Sequence, residues 1–172
     1  MELIEFGRLN DEQSATLVGN EDDPWDAAEF GLEWRPKDHH VALRDDDGRL
    51  VAAAGLVVVE VQFDDQPPIP VVGVGGVIVT ASHRGRGLGR RVISEALIRA
   101  EAMGPEIAML FCRVESAGLY RRHGFAEVPA RVFVDQPDGI AEISGAGGTM
   151  WRPLKAGARL PDGSVKVIGL PF

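Results

Sequence analysis

Val77-Ile78-Val79-Thr80-Ala81-Ser82-His83-Arg84-Gly85-Arg86-Gly87-Leu88-Gly89-Arg90-Arg91 reads as an apolar strand that passes through a glycine-rich loop into a helix. Over residues 90–103, Val92, Ile93, Ala96, Leu97 and Ala100 fall on one helical face, with Arg91, Ser94, Glu95 and Arg99 largely on the other. Gly104-Pro105 ends that helix. The first N–H groups of a helix lack internal partners and its dipole favours negative charge, so a phosphate is stabilised at this end. Glycines at 85, 87 and 89 let the chain wrap closely and aim successive N–H groups into a concavity, while the nearby arginines supply charge. The combination suits a diphosphate. A P-loop would need Gly-Lys-Ser/Thr where Gly89-Arg90-Arg91 stands, and a Rossmann fingerprint would need a glycine at position 90. A glycine-rich connection with incidental charge and a basic nucleic-acid-binding loop are the alternatives; the net charge of -8 speaks against the second.

Working outward, residues 71–80 form an apolar stretch without alternation, as expected of a central strand covered on both faces. Gly73, Gly75 and Gly76 inside it mark a bulge or a close approach by a ligand or another backbone. Strands at 40–44 and 50–62 bracket Asp45-Asp46-Asp47-Gly48, a hairpin signal, and residues 64–70, with three prolines, read as a connection. A short edge strand at 2–6 precedes helices at 11–18 and 24–32, the first capped by Asn10 or Asp11 and the second begun by Pro24. Downstream, residues 106–112 are a strand parallel to its predecessor if the crossover is right-handed. Residues 116–123 make a short helix with Ser116 as N-cap, Gly124 as C-cap and Phe125 sealing the turn. Further strands are expected at 125–134, 142–151 and 165–170.

Two motifs carry a resemblance: Arg-x-x-Gly-x-Gly at Arg84, Gly87 and Gly89, and Ser116-Ala117-Gly118-Leu119-Tyr120-Arg121-Arg122-His123-Gly124-Phe125. Over residues 71–135 the chain resembles the GNAT superfamily of N-acetyltransferases. The resemblance implies an α/β (α+β) class, the GNAT fold: a mixed central sheet splayed between two parallel strands and flanked by about four helices. One domain over residues 1–172 is expected. It further implies acetyl-CoA as co-substrate, its pyrophosphate on Arg84, Gly85, Arg86, Gly87, Leu88, Gly89 and Arg90. The pantetheine arm is expected to pair with Val77, Ile78 and Val79, one of whose N–H groups polarises the acetyl carbonyl. Tyr120 matches the family tyrosine that protonates the departing thiolate. A phenol of pKa about 10 keeps its proton at neutral pH and so can supply it. Packing of the ring under the preceding strand is the structural alternative, and the two roles are compatible.

Among members of the family, the chain is most similar to the aminoglycoside 2'-N-acetyltransferase-like branch, through the glycine-rich strand and an Asp162-Gly163 turn followed by Val165, Val167, Leu170 and Pro171. Those enzymes carry a glutamate base on the strand before the loop, and Gly75 stands at the matching position. An ammonium of pKa about 9 to 10 must lose a proton before it attacks a thioester. Glu33, His39, His40, Glu60 and the terminal carboxylate are the candidates to take it. Glu60 shares a strand face with Leu56 and Val58, where a partly buried carboxylate would have a raised pKa, and it is paired here with Tyr120 as the catalytic set.

Length and composition bound the rest. At 172 residues and 45% hydrophobic content the chain can build one sizeable core. The single cysteine, Cys112, lies in an apolar run and reads as a buried thiol in a reduced compartment rather than a nucleophile. No signal-like segment opens the chain, and the apolar run 50–59 is about half of the roughly 20 residues a membrane span needs, so a cytoplasmic location is expected. Eight acids and no lysine or arginine stand between Asn10 and Trp34, either solvated helix faces or an attractor for a cation. The expected acceptor is a primary amine on a small cationic molecule; nucleic acid, membrane and metal are not expected, and a homodimer is left open. The alternative function is a non-catalytic acyl-CoA sensor or interaction module, favoured by the missing glutamate. A third, a longer acyl donor, turns on the room beside Gly73–Gly76.

Overall fold

The computed structural model describes residues 1–25, 27–143 and 148–172. In chain order these form β1 (Glu2–Phe6), α1 (Asp11–Val18), β2 (His39–Arg44), β3 (Leu50–Phe63), β4 (Ile69–Val79), α2 (Leu88–Glu101), β5 (Ile107–Cys112) and α3 (Ala117–Arg121). They continue with β6 (Ala126–Glu127), β7 (Val132–Gln136), β8 (Gly139–Glu142), β9 (Gly148–Pro153) and β10 (Val165–Val167). The strands join one mixed sheet in the order β6-β9-β5-β4-β3-β10-β7-β8, with β1 and β2 extending from β3. Asn10 caps α1 through a capping box, accepting from Gln13 N at 2.8 Å while Gln13 Oε1 accepts from Asn10 N at 3.0 Å. The β2–β3 hairpin closes at Gly48, whose φ of 80° is the left-handed conformation that Asp-Gly turns require.

β3 is the longest strand and shares one edge between two partners: β2 along its first half and β10 at Val61–Phe63. Its other edge pairs antiparallel with β4. Val92, Ile93, Ala96, Leu97 and Ala100 of α2 are buried in one cluster with Ala52, Ala54, Leu56, Val72 and Val74. Val57, Val59, Val61 and Val71 pack on the opposite face, as do Ala53 and Ile78 nearer α1.

The glycines of β4 do form a bulge. Ala53 pairs with Ile78 and Gly55 with Gly75, so one extra residue is inserted on β4, and Gly76 takes a φ of 58°. The insertion switches the strand's alternation. Before it Val72 and Val74 face α2; after it Val77 and Val79 do.

Several expected elements differ. The helix at 24–32 is a single 3-10 turn, Ala27–Phe30, started by the Asp23 carboxylate accepting from Ala27 N and Ala28 N and stopped by Gly31 at φ 60°. Ser116 does not cap α3, because its own backbone is already helical at the end of the 3-10 turn Val114–Ser116. Residues 125–134 divide into β6 and β7, which lie far apart in the sheet, with Pro129 between them unable to donate to a ladder. Ile69 and Pro70 belong to β4 rather than to a connection. Pro70 is tolerated because the carbonyl of its partner Glu60 turns away to accept from Ile168 N at 2.9 Å, so this pair needs no ladder bond. The strand expected at 142–151 is β9 from Gly148 onward; residues 144–147 lie outside the described residues.

Candidate active site

β4 and β5 are parallel, as the crossover predicts, but they pair only over Val72–Val74 and Ala108–Leu110. From Gly75 onward β4 is held by β3 alone, and the two strands part. Thr80 N donates to Val51 O at 3.0 Å, so by the two-residue period Ile78 also turns its amide toward β3. Val77 and Val79 therefore present theirs to the gap. The three residues expected at the splay are thus not equivalent: Ile78 is committed to the sheet, and Val77 and Val79 form the open edge.

The loop leaves this edge through the 3-10 turn Ala81–His83, where His83 Nδ1 lies 3.0 Å from both Thr80 Oγ1 and Ser82 Oγ. Gly85 and Gly87 have φ of 75° and 76°, conformations a side chain would strain, and Gly87 is the residue from which α2 starts. Gly89 is helical instead; a Cβ there would touch Val79 at 3.6 Å. The helical ladder begins with Arg91 N donating to Gly87 O at 3.1 Å, which leaves the amides of Leu88, Gly89 and Arg90 without helical partners. Leu88 anchors the turn against the α2 cluster. Arg86, Arg90 and Arg91 are exposed and make no ion pair among the described residues. Arg84 differs from them. Its guanidinium grips both carboxylate oxygens of Glu21 at 2.7 and 2.8 Å and donates to Val79 O at 3.1 Å, so it braces the loop.

A cavity of about 520 Å³ opens on the gap. Gly75, Gly76 and Val77 form one wall, and Tyr120 reaches it from α3. Tyr120 is 9% exposed, with Phe125 edge-on at 6.1 Å as the Gly124-Phe125 turn predicts. Burial, reinforced by Cys112, holds its phenol well above the ordinary value, so it stays protonated. Burial also pushes the Cys112 thiol up to about 11; the thiol donates to Met150 Sδ at 3.7 Å and is inert.

The chain before β2 and Phe172 complete the lining on the Gly75 side. A Cβ at Gly73 would lie 2.5 Å from the Phe172 ring, and one at Gly75 would lie 2.7 Å from Lys37 Cε. The space beside Gly73 and Gly75 is therefore filled by the protein's own side chains, while Gly76 stays open to the cavity. Lys37 runs along a groove made by the paired glycines Gly55 and Gly75 and donates from Nζ to Arg35 O at 3.2 Å. Burial, with help from Arg35, brings its pKa down to about 8. Under its stem lies His40, 5% exposed and stacked on Phe6. Its Nδ1 donates to Gly7 O at 2.7 Å, which fixes the tautomer, and burial lowers its pKa.

Glu60 requires a correction. It is exposed on β3 and does not line the cavity, because the strand runs past the cluster under α2 at Leu56, leaving Val58 42% exposed as well. Of the other acid–base candidates, His39 pairs with Glu5 at 3.0 Å and Glu33 is exposed; neither lines the cavity, whereas His40 does, as does Phe172, whose terminal carboxyl carbon would lie 3.1 Å from a Cβ on Gly75. The acidic segment also has other uses than expected. Asp11 and Glu12 lie in the first turn of α1, Glu21 holds Arg84 and Asp23 starts the 3-10 turn; Asp26 lies outside the described residues. Among the described cavity residues no carboxylate side chain appears, whereas Arg8, Arg35, Lys37 and Arg113 do. Sequence reasoning missed Lys37. Its signal was a lysine in a chain with only three, upstream of two glycines whose pairing no local pattern announces.

Among the described residues, no three His, Cys, Asp or Glu side chains gather as a metal site, and no helix is long and apolar enough to cross a membrane. Glucosamine 6-phosphate N-acetyltransferase 1 from Oryza sativa subsp. japonica is 40% identical over 92 residues, covering 52% of this chain and 54% of that protein. The chain thus spans about half the length of the curated relative it matches. The solved GNAT family N-acetyltransferase YhbS from Escherichia coli, in complex with CoA, is 18% identical with a TM-score of 0.62, covering 97% of this chain and 90% of that chain. Escherichia coli ElaA is 21% identical with a TM-score of 0.58, covering 88% and 98% respectively. These two show the fold. The model of the family described as Acetyltransferase (GNAT) domain matches residues 12–128, and with that match over most of its length this chain belongs to the GNAT acetyltransferase domain family.

Proposed function

We propose that residues 1–172 act as a single catalytic domain, cytoplasmic and either monomeric or homodimeric, that moves the acetyl group of acetyl-CoA to a primary amine of a small acceptor. One observation carries the reading: the edge of β4 that β5 leaves unpaired lines one cavity with the buried Tyr120 at Val77 and runs directly into the loop of positive-φ glycines before α2. The amides of Leu88, Gly89 and Arg90 with the Arg86 and Arg90 side chains would hold the pyrophosphate, and the Val77 and Val79 amides the pantetheine arm. The acetyl thioester supplies the electrophilic carbon. Tyr120 keeps its proton until the sulfur leaves, and an edge amide stabilises charge on the carbonyl oxygen.

For the acceptor, the Arg35 guanidinium in the cavity lining, hydrogen-bonded to the Leu170 and Ile168 carbonyls, favours an amine that also bears an anionic group over a polycation. The name of the rice relative, which denotes a phosphorylated amino sugar, agrees with that preference. The aminoglycoside branch rests on the glycine-rich strand and the segment around Asp162-Gly163, and the cavity cations weigh against its polycationic acceptors. Calorimetry with acetyl-CoA, followed by thiol release with amino sugar phosphates, amino acids, polyamines and aminoglycosides, tests both levels. Binding with turnover on an anionic amine is expected. Tight binding without turnover on any amine would favour the sensor reading, and absence of binding to folded protein would end the proposal.

A further inference from the structure

The groove that holds Lys37 is unusual in construction. Gly55 and Gly75 are register partners on adjacent strands, and a Cβ on either would collide with the lysine side chain, whose stem lies over Gly55 and whose Cε and Nζ lie over Gly75. The amine therefore stands where the side chain of a larger residue at position 75 would begin, one residue from the bulge and in the lining of the cavity that Tyr120 also reaches. It forms no ion pair among the described residues, and Nζ donates to the backbone carbonyl of Arg35.

We propose that Lys37 is the general base of the acetyl transfer, taking the proton of the acceptor ammonium beside Gly75. The inference rests on the acetyl-transfer reading above. The neutral Lys37 amine accepts one proton from the acceptor, whose freed lone pair forms the C–N bond to the thioester carbon. The C–S bond breaks with its electrons on sulfur, which takes the Tyr120 proton. The second proton shed by the acceptor nitrogen as the amide forms restores the Tyr120 phenol. Lys37 then returns its proton to solvent.

The lowered pKa agrees with this geometry, since an amine near 8 holds about a tenth of its population neutral at pH 7, where an ordinary lysine holds almost none. The charged and titratable groups around it are Arg35, the Arg8–Asp38 pair, His40 from β2, the terminal carboxyl of Phe172, which also lies over Gly75, and Cys112, Arg113 and Tyr120 elsewhere in the lining. His40 donates from Nδ1 to Gly7 O and keeps Nε2 as its basic nitrogen beside the lysine stem over Gly55, whereas the Lys37 amine is the group that lies over Gly75.

Three variants test the assignment, each checked for unchanged acetyl-CoA affinity by calorimetry. Lys37→Met should lose about 100-fold or more in kcat. Lys37→Arg should be impaired to the same degree, because a guanidinium keeps its proton. Lys37→Cys alkylated with 2-bromoethylamine restores an amine of lower pKa, so activity should return with the acid limb of kcat/KM moved to lower pH. Near-wild-type turnover of Lys37→Arg would mean that the charge anchors an anionic acceptor, and would overturn the proposal. A rescued enzyme with an unmoved limb would do the same. Competitive trace labelling of Lys37, Lys155 and Lys166 against pH needs no acceptor: Lys37 titrating with the other two overturns the base even where the acetyl-transfer reading stands. Failure to bind acetyl-CoA, by contrast, strikes that reading itself.

Discussion

The two sides of the gap in β4 are built by opposite strategies. The coenzyme side is continuous chain, Val77 to Arg90, in which each residue's neighbour in sequence is its neighbour in the site. The acceptor side is assembled from Lys37 before β2, Gly55 on β3, Gly75 on β4, Tyr120 on α3 and Phe172 at the far end of the sequence. The contrast teaches that this protein's proposed grip on a diphosphate is encoded locally. Its choice of acceptor depends on long-range packing.

That contrast can be broken by separating binding from turnover. The largest effect is expected for Val79→Pro, which removes an amide from the open edge at a position that owes no ladder bond to β3. Calorimetry should find acetyl-CoA binding abolished, while circular dichroism finds the fold intact. Next, Tyr120→Phe should lower kcat about 100-fold with acetyl-CoA affinity within twofold, the signature of a lost proton donor; unchanged kcat would leave the ring a packing role only.

The third prediction concerns stability. The folded pKa of Lys37 lies below its unfolded value, so this group's contribution to stability is greatest above the unfolded value of 10.5 and falls as pH drops toward the folded value of about 8. Lys37→Met should therefore be more stable than wild type at pH 7 by about 2 kcal/mol, roughly 30-fold in the folding equilibrium. The advantage should shrink between pH 8 and 10.5, and denaturant titrations at three pH values would show it. Smaller still, Gly75→Ala should push the Lys37 amine aside and cost about tenfold in kcat/KM for the acceptor, leaving coenzyme affinity alone. Last, Arg84→Gln breaks a half-exposed pair with Glu21 and should cost less than about 1 kcal/mol in thermal denaturation.

What was legible in the sequence follows the same division. The edge strand, the hairpin at Gly48, α1 with its Asn10 cap, the parallel crossover and the loop into α2 could all be read, because each depends on local periodicity or turn chemistry. The turn at Ala27–Phe30 could not, since Asp23 and Gly31 shorten what apolar spacing alone prolongs. Glu60 was misplaced for a related reason: alternation gives a residue's face and says nothing of where the covering helix ends. Lys37 escaped notice because the groove that lowers its pKa exists only once two strands bring Gly55 and Gly75 side by side.

The inserted residue in β4 also sets a limit on change. Because Val72 and Val74 on one side of it and Val77 and Val79 on the other must all face α2, the number of residues between Val74 and Val77 is as constrained as any side chain. Gene variants that lose one codon there would turn the edge valines to the wrong layer and bury the amides now directed at the gap. Length and glycine content are thus set together in this segment: the insertion fixes which layer the valines face, and Gly75 and Gly76 make the insertion possible.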